Sequence, residues 1–201
     1  MITFDGSFIP FFMKNEDMLS LSKITLAPWI QKATALIGVS RKVGGNQFRH
    51  AMATMAIILD YKIVDPVLLK ASVIHDLLED VPGTDQQALR TIDPDGPAVV
   101  DLVLEVTRDP REKKEVFLER LLKKGSDRAK LLKSADRISN LLDLHLTVYD
   151  PERYERHIHQ TITYVLPMAR QVNKDMAHEM IDLINIRSKN LGLPEIESWH
   201  E

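Results

Sequence analysis

Four ionisable side chains stand as two adjacent pairs in Val73-Ile74-His75-Asp76-Leu77-Leu78-Glu79-Asp80, directly after an apolar run. A helix advances about 1.5 Å per residue and turns every ~3.6 residues. On such a helix His75 and Glu79 share one face at i and i+4, and Asp76 and Asp80 share the next. Imidazole and carboxylate groups concentrated in this way suit two tasks, holding a divalent cation and moving a proton. Carboxylates near a helix C-terminus oppose the backbone dipole, which favours cations there. Burying charges without partners costs on the order of several kcal/mol each. A bound cation answers both objections.

His50, near the start of a second expected helix, and Asp136, on a third, complete a candidate ligand set of His50, His75, Asp76 and Asp136. Imidazole nitrogen combined with carboxylate oxygen suits an ion such as manganese, iron or zinc. The chain has no cysteine, which excludes disulfides and thiolate sites and leaves nitrogen and oxygen as ligands. An octahedral ion would keep positions for water and a substrate oxygen. It would lower the pKa of water and offset charge on a phosphoryl group. Glu79 and Asp80, one turn on, are placed to orient or deprotonate an attacking water. A separate basic set, Arg41, Lys42, Arg49, Arg108, Lys133 and Arg137, offers donors for phosphate oxygens. Arg49 and Arg108 equally suit surface solubility, and Arg137 suits a structural pairing with a nearby carboxylate. His145, His157, His159, His178 and His200 lack comparable neighbours and read as surface or capping residues.

These side chains need helices to carry them. Residues 1–15 read as an extended or hairpin-like lead turning at Asp5-Gly6, and 17–26 as a short helix. Pro28 suits a first helical position, for a helix to about Leu36. Gly38 and Gly44-Gly45 break the pattern and put Arg41 and Lys42 on a loop. A helix from about Gln47 to Leu59 carries His50. Asp65-Pro66 is a strong restart, with Asp as N-cap, and the apolar helix it opens is expected to be central and to run on through His75 and Asp76 until Pro82-Gly83. Thr84 caps a short helix to Arg90. Helices over 98–106 and 112–124 follow, and Ser126 or Asp127 caps one over 127–146. In that helix Leu131, Ala135, Ile138 and Leu142 are expected to face the core, and Lys133, Asp136, Asn140 and Asp143 form a polar stripe that reads as the wall of a site. Pro151 opens a long helix to about Val172, and Asp175 to Asn190 is the last, closed by Gly192 and Pro194. With all strong periodicity helical and no repeat or linker, the expected fold is all-α and single-domain.

The chain has 201 residues, 44% hydrophobic and 27% charged, with 26 basic and 29 acidic side chains. The length allows one domain or two small ones. The charge balance does not call for a nucleic-acid polymer as partner. No stretch is long and apolar enough to span a bilayer, and the apolar N-terminus lacks the basic start of a signal peptide. A cytoplasmic location is expected.

A His, a His-Asp pair and a later Asp resemble the HD phosphohydrolase superfamily. His75-Asp76-Leu77-Leu78-Glu79-Asp80 resembles the HDxxED motif of the RelA/SpoT-type (p)ppGpp hydrolases, and Lys133-Ser134-Ala135-Asp136-Arg137-Ile138-Ser139-Asn140 resembles their KLADRxxN segment. Arg41-Lys42 with Gly44 and His50 is similar to the RKxG…H segment, and Val106-Thr107-Arg108 to a VTK or VTR element. The matches run in order from about residue 28 to 146. The resemblance implies an all-helical HD-domain bundle, with 1–27 as an N-terminal extension, 28–146 as the motif-bearing core and 147–201 as C-terminal helices. It implies manganese, or another divalent metal, on His50, His75, Asp76 and Asp136, with water activated by Glu79 and Asp80. Arg41 would stack on the base, Lys42 would support that pocket and Asn140 would contact the ribose, with Lys133 and Asp143 also in the substrate site. The implied reaction removes the 3′-pyrophosphate of (p)ppGpp, leaving GDP or GTP, as in a small alarmone hydrolase. Ala51 stands where the family has Pro, Val81 where Thr is frequent, and Asp143 where long members have Thr. The alternatives within the same fold are an adenine alarmone or NADPH as substrate. A binding role, as an alarmone sensor or as an antitoxin to a cognate alarmone synthetase or toxin, is the non-enzymatic alternative.

Overall fold

In the computed structural model the described residues are 13–144 and 150–189, with 192, 195 and 196. They fold as helices: α1 (Asn15–Ser22), α2 (Ala27–Ala33) running into a 3-10 turn (Thr34–Gly38), α3 (Gln47–Asp60) and α4 (Pro66–Ile74). Then come α5 (Leu77–Asp80), α6 (Gln86–Arg90), α7 (Gly96–Val106) and α8 (Lys114–Lys124). The remainder is α9 (Asp127–Asp143), α10 (Pro151–Gln160), a π-helical segment (Thr161–Val165), α11 (Leu166–Val172) and α12 (Lys174–Lys189). Among the described residues β-structure is limited to one antiparallel bridge between Ser40 and Asn46. Residues 1–12 of the lead expected over 1–15, residues 145–146 of the helix expected over 127–146, and Pro194 lie outside the described residues, as do His145 and His200.

α4 is the central helix that its apolar composition requires. Asp65 caps it, its side chain accepting from the Leu68 N–H, and Pro66 fills the first turn. Every residue from Val67 to Ile74 is buried, and each large aliphatic side chain so enclosed contributes about 1.5–3 kcal/mol. Lys70 is the charged exception. Its ammonium lies 2.8 Å from Asp93 and 2.6 Å from Asp95, and Trp29 Nε1 donates to the same Asp93 carboxylate at 2.8 Å. α4 packs against α2, α3, α7 and α9, and α9 packs against α3, α7, α11 and α12. The trio α3, α4 and α9 therefore meets in the middle of the molecule.

The helix carrying His75 and Asp76 is not continuous. α4 ends at Ile74, and His75 and Asp76 form a turn before α5 starts at Leu77. His75 Nδ1 takes the Ser72 carbonyl at 2.8 Å, and Asp76 relaxes to φ −93, ψ −4. The side chain competes with the backbone ladder for an acceptor, as polar residues at helix ends do. The Asp80 N–H still reaches Asp76 O at 2.9 Å, so Asp76 and Asp80 keep their one-turn spacing across the interruption.

α9 also departs from expectation. Leu142 is 41% exposed, whereas Leu132, Ala135, Ile138 and Leu141 are buried together with Asp136, Arg137 and Ser139. The helix is enclosed on most sides, so its polar residues face an internal wall. Arg187 of α12 donates to the Leu141 and Leu142 carbonyls and caps its end. The single helix expected over 151–172 carries a π segment at 161–165, where the Leu166 N–H reaches Thr161 O, five residues back. Pro167 has no N–H to give to residue 163 and its ring crowds that turn, which the wider turn relieves. Asp85, rather than Thr84, caps α6. α1 starts two residues early at Asn15 and ends at Ser22, and α8 starts at Lys114, because Arg108 Nη1 claims the Glu112 carbonyl at 2.7 Å.

Candidate metal centre and cleft

Each half of the candidate centre is aimed by a hydrogen bond on the far side of its ring. His50 Nδ1 lies 2.9 Å from Ser139 Oγ, and His75 Nδ1 lies 2.8 Å from Ser72 O. A carbonyl only accepts, so His75 Nδ1 carries the proton, and in the neutral ring Nε2 is a bare lone pair. That atom is buried and has no hydrogen-bond partner, yet Asp76 Oδ1 stands 3.3 Å from it. A lone pair facing a carboxylate oxygen needs a cation between them. His50 Nε2 lies 3.0 Å from Asp136 Oδ1 and 3.8 Å from Asp76 Oδ2, and His75 Nε2 lies 4.0 Å from Asp136 Oδ1. The two imidazole rings meet edge-on at 5.3 Å. His50, His75 and Asp76 offer ligand atoms all within 4.8 Å of one another. Asp136 joins from α9, its Oδ2 2.7 Å from Lys133 Nζ and its Oδ1 accepting from Asn140 Nδ2 at 2.5 Å. These donors, with rings fixed from behind, fit a divalent metal ion.

Burial alone would raise the Asp136 carboxyl. Lys133, the His50 hydrogen bond and the two imidazoles outweigh it and hold the group well below the usual carboxylate range. Glu79 and Asp80 behave oppositely. Burial, then the neighbouring Asp76 and each other or Gln47, set their values: Glu79 is pushed up by burial and by Asp76 and Asp80 against Lys133, and Asp80 by burial and Asp76 against the Gln47 hydrogen bond of 2.6 Å. Both line the same cleft of about 380 Å³ as His50, Asp76 and Asp136.

One end of that cleft is built by the loop before α3. Gly44 and Gly45 adopt φ +86 and +70, a left-handed backbone that other residues resist. A side chain on Gly45 would also press on the Arg49 guanidinium, its Cβ 3.0 Å from Arg49 Cζ. The turn closes with Gly44 N–H to Arg41 O at 3.0 Å and Arg41 N–H to Gly45 O at 3.2 Å. Arg41 then reaches α9, donating to Asp143 Oδ2 at 2.7 Å and Asn140 Oδ1 at 3.0 Å. Arg41, Lys42, Lys133 and Asn140 line the cleft, while Asp143 stands behind Arg41 as its partner. Asn46 caps α3 by accepting from the Arg49 N–H, which leaves Gln47 and His50 on the cleft side.

At the other end the sequence reading is corrected. Arg137 is buried at 2% exposure and forms no ion pair with a carboxylate among the described residues. It donates instead to His157 O at 3.2 Å and Thr161 Oγ1 at 2.9 Å. His157 is not a surface residue. It is half-buried, lines the cleft and sits beside Arg137, and burial together with the charges of Arg137 and Lys114 pushes its pKa well down, so that it is neutral. His159 and His178 are exposed, as expected. Lys114 and Arg153, which sequence reasoning did not single out, also line the cleft. Desolvation by the cleft walls, then repulsion from Arg137 and Lys133, lowers the Lys114 ammonium to about 8 although its side chain reaches solvent at the rim. The signal was faint: PERYERH reads as an ordinary amphipathic helix.

No family model matches the chain. Among curated proteins it is similar to the guanosine-3′,5′-bis(diphosphate) 3′-pyrophosphohydrolase MESH1 of Drosophila melanogaster, with 35% identity over 102 residues. That match takes in 47% of this chain and 55% of the relative, so the chain spans about half the length of the curated protein it matches. Among solved structures it is similar to a metazoan ortholog of SpoT that hydrolyses ppGpp and plays a role in starvation responses. There the TM-score is 0.69 at 24% identity, covering 90% of this chain and 98% of the other. The chain thus shares the all-helical fold of that protein, and the likeness to a ppGpp hydrolase is found in sequence and in fold. No helix among the described residues is long and apolar enough to cross a membrane.

Proposed function

We propose that this chain is a small HD-type alarmone hydrolase that removes the 3′-pyrophosphate of ppGpp or pppGpp, giving GDP or GTP and pyrophosphate. The observation that carries the reading is the buried, unpartnered His75 Nε2, aimed with His50 Nε2 at two carboxylates in a cleft lined by cations. The likeness to ppGpp hydrolases supplies the substrate class. His50, His75, Asp76 and Asp136 would hold the ion, with manganese our assignment. When bound, it would supply a Lewis acid for the phosphoryl oxygens.

The chain's own residues do the rest. Glu79 and Asp80 orient the attacking water and take its proton, a role that suits carboxyls raised above their ordinary range. Water bonds to the inner phosphorus, the bond from that phosphorus to the 3′ oxygen breaks, and the proton passes to the 3′ oxygen. Lys133, held against Asp136, offsets charge on the diphosphate. Arg41, flattened against Asp143 and Asn140, offers its guanidinium face to the base, Lys42 supports that pocket and Asn140 meets the ribose. We place the reaction in the cytoplasm.

The test is incubation of purified protein with ppGpp, an adenine alarmone and NADPH, with manganese and with chelator. Pyrophosphate release from ppGpp, lost with chelator and in Glu79→Ala, is expected. Intact ppGpp in the presence of manganese would sink the proposal. Hydrolysis of NADPH or the adenine compound alone would move the substrate within the fold. Protection from an alarmone-synthesising toxin by the Glu79→Ala, Asp80→Ala variant would reveal a binding role instead.

A further inference from the structure

The proposed reaction gives Gln47 no task, yet the fold fixes this residue closely. Its N–H donates to Val39 O at 2.9 Å, and Asn46 before it caps α3 and bridges back to Ser40. The backbone is therefore held where the side chain starts. That side chain crosses from α3 to α5, where Nε2 donates to Asp80 Oδ2 at 2.6 Å. A carboxylate only accepts, so the amide turns its NH2 toward Asp80 and its carbonyl away. Oε1 is left buried, with no hydrogen-bond partner. An acceptor taken from water and given nothing in return weakens a fold, so the arrangement calls for an explanation other than stability.

The register of the two chain stretches supplies one. Gln47 and His50 stand at i and i+3 on α3 and share a face. Asp76 and Asp80 stand one turn apart opposite them, joined by the Asp80 N–H to Asp76 O. His50 Nε2 lies 3.8 Å from Asp76 Oδ2, and Gln47 Nε2 lies 2.6 Å from Asp80 Oδ2. The two pairs are successive rungs between the same stretches, the first at the metal centre and the second one turn away. Gln47 and Asp80 both line the cleft. The last torsion of an aspartate side chain is broad and poorly fixed by itself. A bond to Oδ2 stops that rotation and leaves Oδ1 unclaimed by Gln47.

We propose that Gln47 is a positioning residue for the hydrolysis, clamping Asp80 Oδ2 so that Oδ1 meets the attacking water in one orientation. The role rests on the hydrolase reading above. Without the clamp the carboxylate rotates, which slows the step at phosphorus and leaves nucleotide binding as it was.

Two variants test it. Gln47→Met keeps the length of the side chain and removes the amide, and Gln47→Glu keeps its shape and replaces the donor with an acceptor. Both are assayed with manganese on whichever of ppGpp, the adenine alarmone and NADPH wild type hydrolyses. Each is expected to lose about ten- to a hundred-fold in kcat, with KM within about two-fold of wild type. In chelator Gln47→Met should melt within about 4 °C of wild type, because the lost bond and the removed orphan acceptor offset each other. Manganese should then raise its melting temperature as much as it raises that of wild type. A kcat kept by either variant, a loss confined to KM, or a melt lower than this, the mark of a plain tie between helices, overturns the clamp. So does a lost manganese shift, which would put Gln47 in support of the metal instead. A wild type inactive on all three nucleotides overturns the proposed function and the clamp with it, whereas an active wild type beside an unaffected Gln47→Met overturns the clamp alone.

Discussion

Two carboxylates in one cleft are expected to answer the same substitution with opposite signs. Asp136 is buried, paired to Lys133 at 2.7 Å and bonded to His50 and Asn140, and its carboxyl is held well below the ordinary range. The fold favours its ionised form, so Asp136→Asn in chelator at pH 7 removes the counter-charge of the half-buried Lys133 ammonium and an acceptor of the Asn140 amide. A charged hydrogen bond of this kind is worth about 2–3 kcal/mol. At roughly 2–4 °C per kcal/mol for a chain of this size, the melting temperature should fall by about 4–12 °C. Asp80 is half-buried and its carboxyl is pushed up by burial and by Asp76, so the fold disfavours its ionised form. Asp80→Asn relieves that at pH 7 and, allowing for solvent screening, should leave stability unchanged or raise it by up to ~1 kcal/mol. Both variants should lose pyrophosphate release. Thermal melts by circular dichroism in chelator, beside an activity assay with manganese, read both. An Asp80→Asn protein that melts below wild type, or an Asp136→Asn protein that melts at or above it, refutes the electrostatic reasoning.

Manganese at about 100 times its dissociation constant should stabilise wild type by about 2.7 kcal/mol, visible as several degrees in a melt, and His75→Ala should lose the shift; a variant that still shifts fully would show the ion sits elsewhere. Arg41→Lys keeps the charge but cannot bridge Asp143 and Asn140, so KM should rise about ten-fold with kcat less affected, and a pure kcat loss would contradict a base-binding role. Asp93→Ala strips Lys70 and Trp29 of a shared partner and should cost about 2–3 kcal/mol by urea titration. Burial works against the Asp93 carboxyl, but Lys70 and Trp29 depress it; its contribution is therefore full above about pH 3.9 and lost as pH falls through the depressed folded value. The gap between wild type and Asp93→Ala should close below that point, and a gap constant into acid would show that the pairing does not titrate. In the proposed reaction Glu79 and Asp80 would act ionised, and both carboxyls are raised, so the acid limb of kcat/KM should fall above about pH 4.3, the value of a free carboxyl.

The helical layout was legible because each boundary carried a local cause. Asp65-Pro66 opened α4, Ser126 capped α9 by accepting from the Ala129 N–H, and Gly44-Gly45 broke the chain where φ turns positive. Local causes were missed where a side chain competed for backbone. Ser72 O went to His75 and Glu112 O to Arg108, and both choices moved a helix end. The four candidate ligands were legible by type and by motif. Their convergence follows from which helices touch, since α3 meets both α4 and α9, and periodicity along one helix does not state that.

Arg137 and His157 show why the basic end escaped notice. Read along the chain, each has an ordinary explanation: a cation beside an acid, and a histidine on a polar helix. Only the packing of α10 against the core takes the carboxylate away from Arg137 and gives it the His157 carbonyl and Thr161 hydroxyl. Its Nε is left without a hydrogen-bond partner, as His75 Nε2 is at the metal centre, and Asp136, its neighbour on α9, is the carboxylate that acts on its charge without bonding to it. Pairing along the chain therefore names the right acid for Arg137 but the wrong contact, because a helix turns adjacent residues about 100° apart.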